Sequence, residues 1–147
     1  MPGIVCAIRG GPASQPTIHK AITLATEKDL PIYFLYVVNL DFLNRSGGSH
    51  LHALTTELEH MGDFILLTAQ TRAEEAGVEA HGVVRHGEVH EQIVELCIET
   101  GASHVVLGRP REQTPSNVFN ASHLQALAER IANETRAAIV FAEGDAG

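Results

Sequence analysis

The chain has 147 residues, of which 44% are hydrophobic and 19% are charged, and its 10 basic and 18 acidic residues give a formal net charge of −8. This length predicts one domain over residues 1–147, with a core over about 3–143, and the apolar content excludes disorder and small disulfide-stapled folds. The acidic balance excludes a broad nucleic-acid-binding surface, because binding phosphates needs clustered lysines and arginines.

The two cysteines, Cys6 and Cys97, lie in strongly apolar patterns and are predicted to be buried thiols rather than a disulfide framework. The first residues lack the charged and apolar regions of a secretory signal, and no window approaches ~18 consecutive apolar residues. We therefore expect a cytoplasmic protein with no membrane partner.

The N-terminal part alternates between short apolar runs and helical stripes. Residues 4–8 (IVCAI) predict a strand covered on both faces, and Ser14 is expected to cap a helix that runs to about Lys28. Residues 32–38 (IYFLYVV) predict the second strand, and 39–49 predict a loop.

The second helix is predicted from apolar residues that repeat at steps of three and four. It should run to about Ala76 and end at Gly77, and Gly62 inside it is expected to mark a bend. The stripe expected to face the core consists of Leu51, Leu54, Leu58, Met61 and Ile65.

The C-terminal part continues the same alternation. Its predicted elements are a strand over 78–85, a helix over 88–100, a strand over 104–107, a polar loop over 108–121, a helix capped by Ser122 and a strand over 137–142.

Strands that alternate with helices predict an α/β fold with a single doubly wound, five-stranded parallel sheet and helices on both faces, which is Rossmann-like. Such sheets bind ligands at the carboxyl ends of their strands, where the strand order reverses. Two loops therefore become candidates for function, one over 9–12, which includes Arg9 and Gly10, and one that begins at Gly108.

The loop from Gly108 to Ser122 leads from a strand to a helix N-terminus, a place that attracts anions. Arg109 and Arg111 add positive charge, and the Ser122 hydroxyl can donate a hydrogen bond. A solvated loop in which Ser122 only caps the helix explains the same residues.

The chain resembles the universal stress protein family over about residues 3–143. The segments that carry the resemblance are IVCAI (4–8) with Ser14, LYVV (35–38), RHGE (85–88), TGASHVVLG (100–108) and AIVF (138–141). The resemblance implies the fold of the adenine nucleotide alpha hydrolase-like proteins and a stress-response or regulatory role.

Many members of that family bind ATP through the pattern G-x2-G-x9-G-[ST] after the fourth strand. In this sequence the first glycine is Gly108 and the hydroxyl is Ser122, whereas Arg111 and Ala121 stand at the second and third glycine positions. Where the family has an aspartate after the first strand, this chain has Arg9. The residue that corresponds to the family's adenine-lining valine is Val37.

These departures leave several functions open. The chain could bind ATP in the family's mode, or it could bind another anion or nucleotide through Arg9, Arg111 and Ser122. It could also act through an unknown protein partner without any nucleotide. The favoured interpretation is a non-enzymatic regulatory domain with a degenerate nucleotide or anion site, so that its cofactor is unknown. The alternative is a genuine ATP sensor.

Other functions of this fold type fit the residues less well. A response-regulator receiver needs carboxylates at strand ends where this chain has Arg9 and Arg85, and a flavin site needs hydroxyls and aromatic residues that are scarce here. The pairs His50/His52 and His86/His90 could chelate a metal, the latter only if both lie on one helix, but a stable site needs a third ligand. No general base accompanies Ser122, so no catalytic residue is assigned.

The last strand is apolar and is predicted to lie at an edge of the sheet, which is an aggregation risk unless it is covered. In the family that the chain resembles, this strand pairs with its copy in a second chain. The resemblance therefore implies a homodimer through Ile139, Val140 and Phe141.

Overall fold

The computed structural model describes residues 3–8, 15–38, 49–108, 121–135 and 137–142, apart from the side chains of 49–55, 121–125 and 142. The described elements alternate strictly between strand and helix. They are β1 (Ile4–Ala7), α1 (Gln15–Lys28), β2 (Ile32–Val38), α2 (Ser49–Glu75), β3 (Ala80–His86), α3 (Val89–Thr100), β4 (His104–Gly108), α4 (Ala121–Glu134) and β5 (Ala138–Ala142).

The strands form one parallel sheet in the order β3-β2-β1-β4-β5. The central strand β1 pairs with β2 on one side, through Ile4 and Ile32, and with β4 on the other, through Ile4 and His104. The predicted doubly wound α/β fold is confirmed, and β5 lies at an edge as expected.

Each face of the sheet carries its own hydrophobic core, because successive strand residues point to opposite sides. On one face, Cys6 and Phe34 pack under α1 and α2. On the other face, Val5 and Leu35 pack under α3 and α4. Burial on both faces explains why β1 and β2 read as continuous apolar runs.

The ends of α3 agree with the sequence pattern. The Glu88 carboxylate caps the helix by accepting a 2.7 Å hydrogen bond from the Glu91 backbone N–H, and Gly101 ends it with a φ of 67°. Gly77 follows α2 with a φ of 81°, as predicted. Asp29 follows α1 in the same left-handed region, with a φ of 56°, although it carries a side chain.

The predicted core face of α2 is partly wrong. Met61 is 54% exposed, and the residues buried against the sheet include Leu66, Ala69 and Ala73. Small side chains line this face because the helix lies close to the sheet. Gly62 is a packing position, since a Cβ there would lie 2.5 Å from Tyr36 Cδ1.

Two boundaries also differ from the prediction. The helix α4 begins at Ala121, so Ser122 is its second residue and not its N-cap. The strand β3 begins at Ala80 rather than Val78, because it starts where its pairing with Ile32 of β2 starts.

Candidate functional site

The strand order reverses beside β1, at the carboxyl edge of the sheet. The chain leaves β1 toward β2 and β3, and β4 then returns to pair with the opposite side of β1. In doubly wound sheets the crevice outside such a reversal binds ligands. Of the described residues, Ile8 and Gly108 mark the two strand ends here.

Gly108 ends β4 in close contact with α1. A Cβ at Gly108 would lie 2.7 Å from Thr17 Oγ1, so a side chain larger than hydrogen does not fit. Thr17 is the one polar side chain among the buried residues that the structure describes, with 4% exposure. The glycine is therefore required by packing within the fold, whether or not a ligand approaches its backbone.

The N-terminus of α4 faces the same edge, because a helix that links parallel strands β4 and β5 must start at their carboxyl end. Ala121 and Ser122 occupy the first turn of α4. Unpaired backbone N–H groups and the helix dipole make this end attractive to an anion. The structure thus brings Gly108 and the backbone of the first turn to one edge.

The remaining predicted site residues are placed as follows. Val37 lies in β2 opposite Arg85, partly buried, and packs on the face that α3 and α4 cover. Arg9, Gly10 and Arg111 lie outside the described residues, so their participation stays a prediction.

The hypothesis of a helical His86/His90 pair is wrong. His86 ends β3, His90 lies in α3, and between them Gly87 has a φ of 129°, which no helix contains. His86 instead has its Nε2 atom 2.9 Å from the Glu59 carboxylate on α2. Among the residues that the structure describes, no three His, Cys, Asp or Glu side chains gather in a way that could hold a metal ion. His50 and His52 belong to the first turn of α2, where side chains are not described.

The structure contains an ion pair between Arg85 and Glu99 that the sequence did not predict. Arg85 of β3 donates two hydrogen bonds, of 2.9 and 2.7 Å, to the Glu99 carboxylate on α3. This hydrogen bonding raises the pKa of Arg85 and lowers the pKa of Glu99. The pair links the edge strand β3 to α3, and no local motif predicts a bond between two residues so far apart in the chain.

Three further titratable groups have shifted pKa values, and one of them, Cys6, lies near the crevice, with its Sγ 3.9 Å from the backbone oxygen of Thr17. Burial raises the pKa of the Cys6 thiol, and it raises that of Cys97 to about 12. The predicted burial of both thiols is confirmed. At the amino end of β4, burial and then the charge of Lys28 lower the pKa of His104.

Comparison with known proteins gives a consistent result. A model of the Universal stress protein family matches residues 2–133. No relative is found among curated proteins by sequence.

Solved structures are similar over nearly the whole chain. A universal stress protein family member from Burkholderia pseudomallei is 22% identical, with a TM-score of 0.70 over 94% of this chain and 92% of that one. The universal stress protein from Archaeoglobus fulgidus in complex with dAMP is 14% identical, with a TM-score of 0.61 over 96% and 97% of the two chains. A universal stress protein in complex with cAMP is 16% identical, with a TM-score of 0.69 over 98% of both chains.

No helix in the described part of the chain is both long enough and apolar enough to cross a bilayer.

Proposed function

The chain belongs to the universal stress protein family, and from this premise we propose that it is a regulatory stress-response domain that binds an anion or nucleotide without catalysing a reaction. The proposed site is the crevice between the carboxyl ends of β1 and β4. The observation that carries the proposal is the convergence of Gly108 and the α4 N-terminus at the strand-order reversal. Similar proteins solved with dAMP and with cAMP support a nucleotide as the ligand.

The residue types argue for a degenerate form of the family's ATP site. Gly108 and Ser122 match the phosphate-binding pattern, but Arg111 and Ala121 replace its other two glycines. The pattern has a glycine at position 111, whose bare backbone lets a phosphate approach closely, whereas arginine is a long residue whose guanidinium can itself bind a phosphate. Arg9 supplies donors where the pattern has an acceptor, which favours an anion over an adenosine hydroxyl.

Isothermal titration of ATP, with and without magnesium, tests the site directly. The variant Arg111→Gly restores the second glycine, and Arg109→Gly is the matched control that removes one arginine of the same loop outside the pattern. We expect weak binding by the natural chain and tighter binding by Arg111→Gly alone. No detectable ATP binding by any of the three proteins would contradict a nucleotide site. An equal increase in ATP affinity in both variants would contradict the role of position 111.

A genuine ATP sensor is the second candidate, and the nucleotide complexes of similar proteins favour it. It requires micromolar ATP binding by the natural chain, with Arg9 and Arg111 acting as phosphate ligands. Arg9→Ala should then weaken ATP binding more than it weakens adenosine binding. Equal effects on both ligands would contradict a phosphate contact at Arg9.

The absence of catalysis is part of the proposal: His123, the candidate base next to Ser122 in sequence, is one residue further along α4 and therefore about 100° around the helix axis from it. Phosphate release from ATP should stay at the rate without protein and should be unchanged in Ser122→Ala. Robust turnover that Ser122→Ala abolishes would overturn it. A cytoplasmic location is proposed with it, because two buried free thiols suit a reducing compartment.

We also propose a homodimer through β5, as the resemblance implies. The support is that β5 is an edge strand whose Ile139, Val140 and Phe141 are only partly buried. At micromolar concentration, Ile139→Glu should reduce the mass measured by light scattering to that of one chain. Val83→Glu is the matched control, because Val83 packs against the same core from the opposite edge strand β3. Equal masses for both variants would contradict the β5 interface.

A further inference from the structure

The outer side of α2 carries large apolar side chains in contact with solvent. Met61, Phe64 and Leu67 are 54%, 71% and 61% exposed, and we call this set the outer stripe. Their spacing of three residues places them on successive turns of one helix. Phe64 lies opposite the side that buries Leu66 and Ala69, so the stripe is not a margin of the core.

A helix that covers one face of a parallel sheet is expected to be polar on its outer side. The three side chains of the outer stripe instead expose on the order of 300–400 Å² of apolar surface, the size of the largest and often functional patch on a typical monomer. Ile98, on α3, is exposed to a similar degree at 57% but stands alone on its helix among the described residues.

Opposite charges flank the outer stripe at nearly equal distances from its centre. Glu57 precedes Phe64 by seven residues and Arg72 follows it by eight, and both are exposed. Neither forms an ion pair with another described residue. Between them on the outer side lie the exposed residues His60, Thr68 and Thr71.

We propose that the outer stripe is a self-association surface that binds the α2 helix of a second copy of this chain in antiparallel orientation. A twofold axis beside Phe64 places Phe64 against its own copy and brings Glu57 of each chain beside Arg72 of the other. The pairing is isologous, so one surface supplies both sides of the contact. A parallel arrangement would instead set Glu57 beside Glu57.

The size of the surface sets the strength of the contact. Two copies of the outer stripe and its flanking residues fall near the lower limit of about 1,200 Å² for standard interfaces, which is typical of weak, concentration-dependent association. The surface is separate from β5, because α2 packs on β2 and β3 at the other end of the sheet. It therefore operates whether or not the β5 edges pair.

Sedimentation equilibrium over a series of protein concentrations tests the proposal. The measurement is made on the full chain and on Ile139→Glu, which removes association through β5. In both backgrounds Phe64→Glu should move the onset of association to a concentration at least about tenfold higher, a loss of about 1.4 kcal/mol. Ile98→Glu is the matched control, and its curve should superimpose on that of its parent.

Charge reversal tests the antiparallel orientation. Glu57→Arg and Arg72→Glu should each weaken association, and the chain that carries both changes should recover it. Because these side chains are exposed, all variants should keep the thermal midpoint of the parent under dilute conditions. The proposal is overturned if the chain stays monomeric in the Ile139→Glu background at every concentration. It is also overturned if Phe64→Glu and Ile98→Glu behave alike, or if the double reversal fails to recover association.

Discussion

The buried glycine of α2 gives the sharpest test of the packing described above. Gly62→Ala should raise stability by about 1 kcal/mol if only helix propensity mattered. The added Cβ, however, would lie 2.5, 2.9 and 3.3 Å from three atoms of the Tyr36 ring. A rigid ring cannot yield at one atom alone, so we place the overpacking cost in the upper part of the usual range of about 1–3 kcal/mol. The expected net effect is a loss of about 1–2 kcal/mol.

Denaturant unfolding followed by circular dichroism measures this loss, and thermal unfolding should show a fall in Tm of about 3–6 °C. Asp63→Ala, at the exposed neighbouring position, is the control and should gain about 0.5 kcal/mol from propensity alone. In a Tyr36→Leu background the ring is gone, so Gly62→Ala should become stabilising. A Gly62→Ala chain more stable than the parent with Tyr36 in place would refute the reasoning.

Three further predictions rest on single contacts. Gly108→Ala should lose about 1–3 kcal/mol in denaturant unfolding by overpacking against Thr17, and adding Thr17→Ala should recover part of the loss; no recovery would place the strain elsewhere. Asp29→Gly should raise the free energy of unfolding by about 1 kcal/mol, because glycine adopts the left-handed conformation without strain. Gly77→Ala should lower it by a similar amount, because φ is 81° there although the added Cβ would meet no neighbouring atom. Tm shifts of the same sign for the two variants would contradict this. The hydrogen bond from Arg85 lowers the pKa of Glu99 in the folded protein. The stabilisation that Glu99 gives the fold is therefore fully present above the ordinary carboxyl pKa of about 4.3, and it is lost as the pH falls through the lower pKa of the folded state. Glu99→Gln should therefore lower Tm at neutral pH but match the parent in acid, and a difference that persists in acid would argue against the ion pair.

The sheet could be predicted because its strands are covered on both faces. Residues 4–8 and 32–38 are continuously apolar for that reason, and the turns between elements are marked by residues such as Gly77 and Gly101, which adopt the left-handed conformation. Edge position for β5 followed from its place as the last strand of the alternation. These features depend on local pattern, which one sequence displays fully.

The buried side of α2 could not be predicted in the same way. Its apolar residues occupy two sides of the helix, and periodicity alone favours the side with larger groups, which includes Met61. The sheet instead packs against small residues such as Gly62 and Ala69, because close approach of a helix limits side-chain volume. Sequence patterns report hydrophobicity but not the distance between layers.

The candidate site shows the same limit. Gly108 was predicted from its position after a strand, but its contact with Thr17 joins residues far apart in the chain. The signal available in the sequence was a threonine, Thr17, next to Ile18 in the predicted first helix, and the structure shows that both are buried. The hydrogen bonds between Arg85 and Glu99 also depend on the position of α3 relative to β3, which no spacing rule supplies.

The positions of the sulfur atoms determine which side chains of this domain an oxidant can reach. Both thiols are buried and their raised pKa values keep them protonated, so neither presents the thiolate that peroxides attack. Of the described sulfurs, the accessible one is the thioether of Met61, and its sulfoxide is polar where the thioether is apolar. Among the described residues, oxidation would therefore add a polar oxygen to the outer side of α2 and leave the two hydrophobic cores intact.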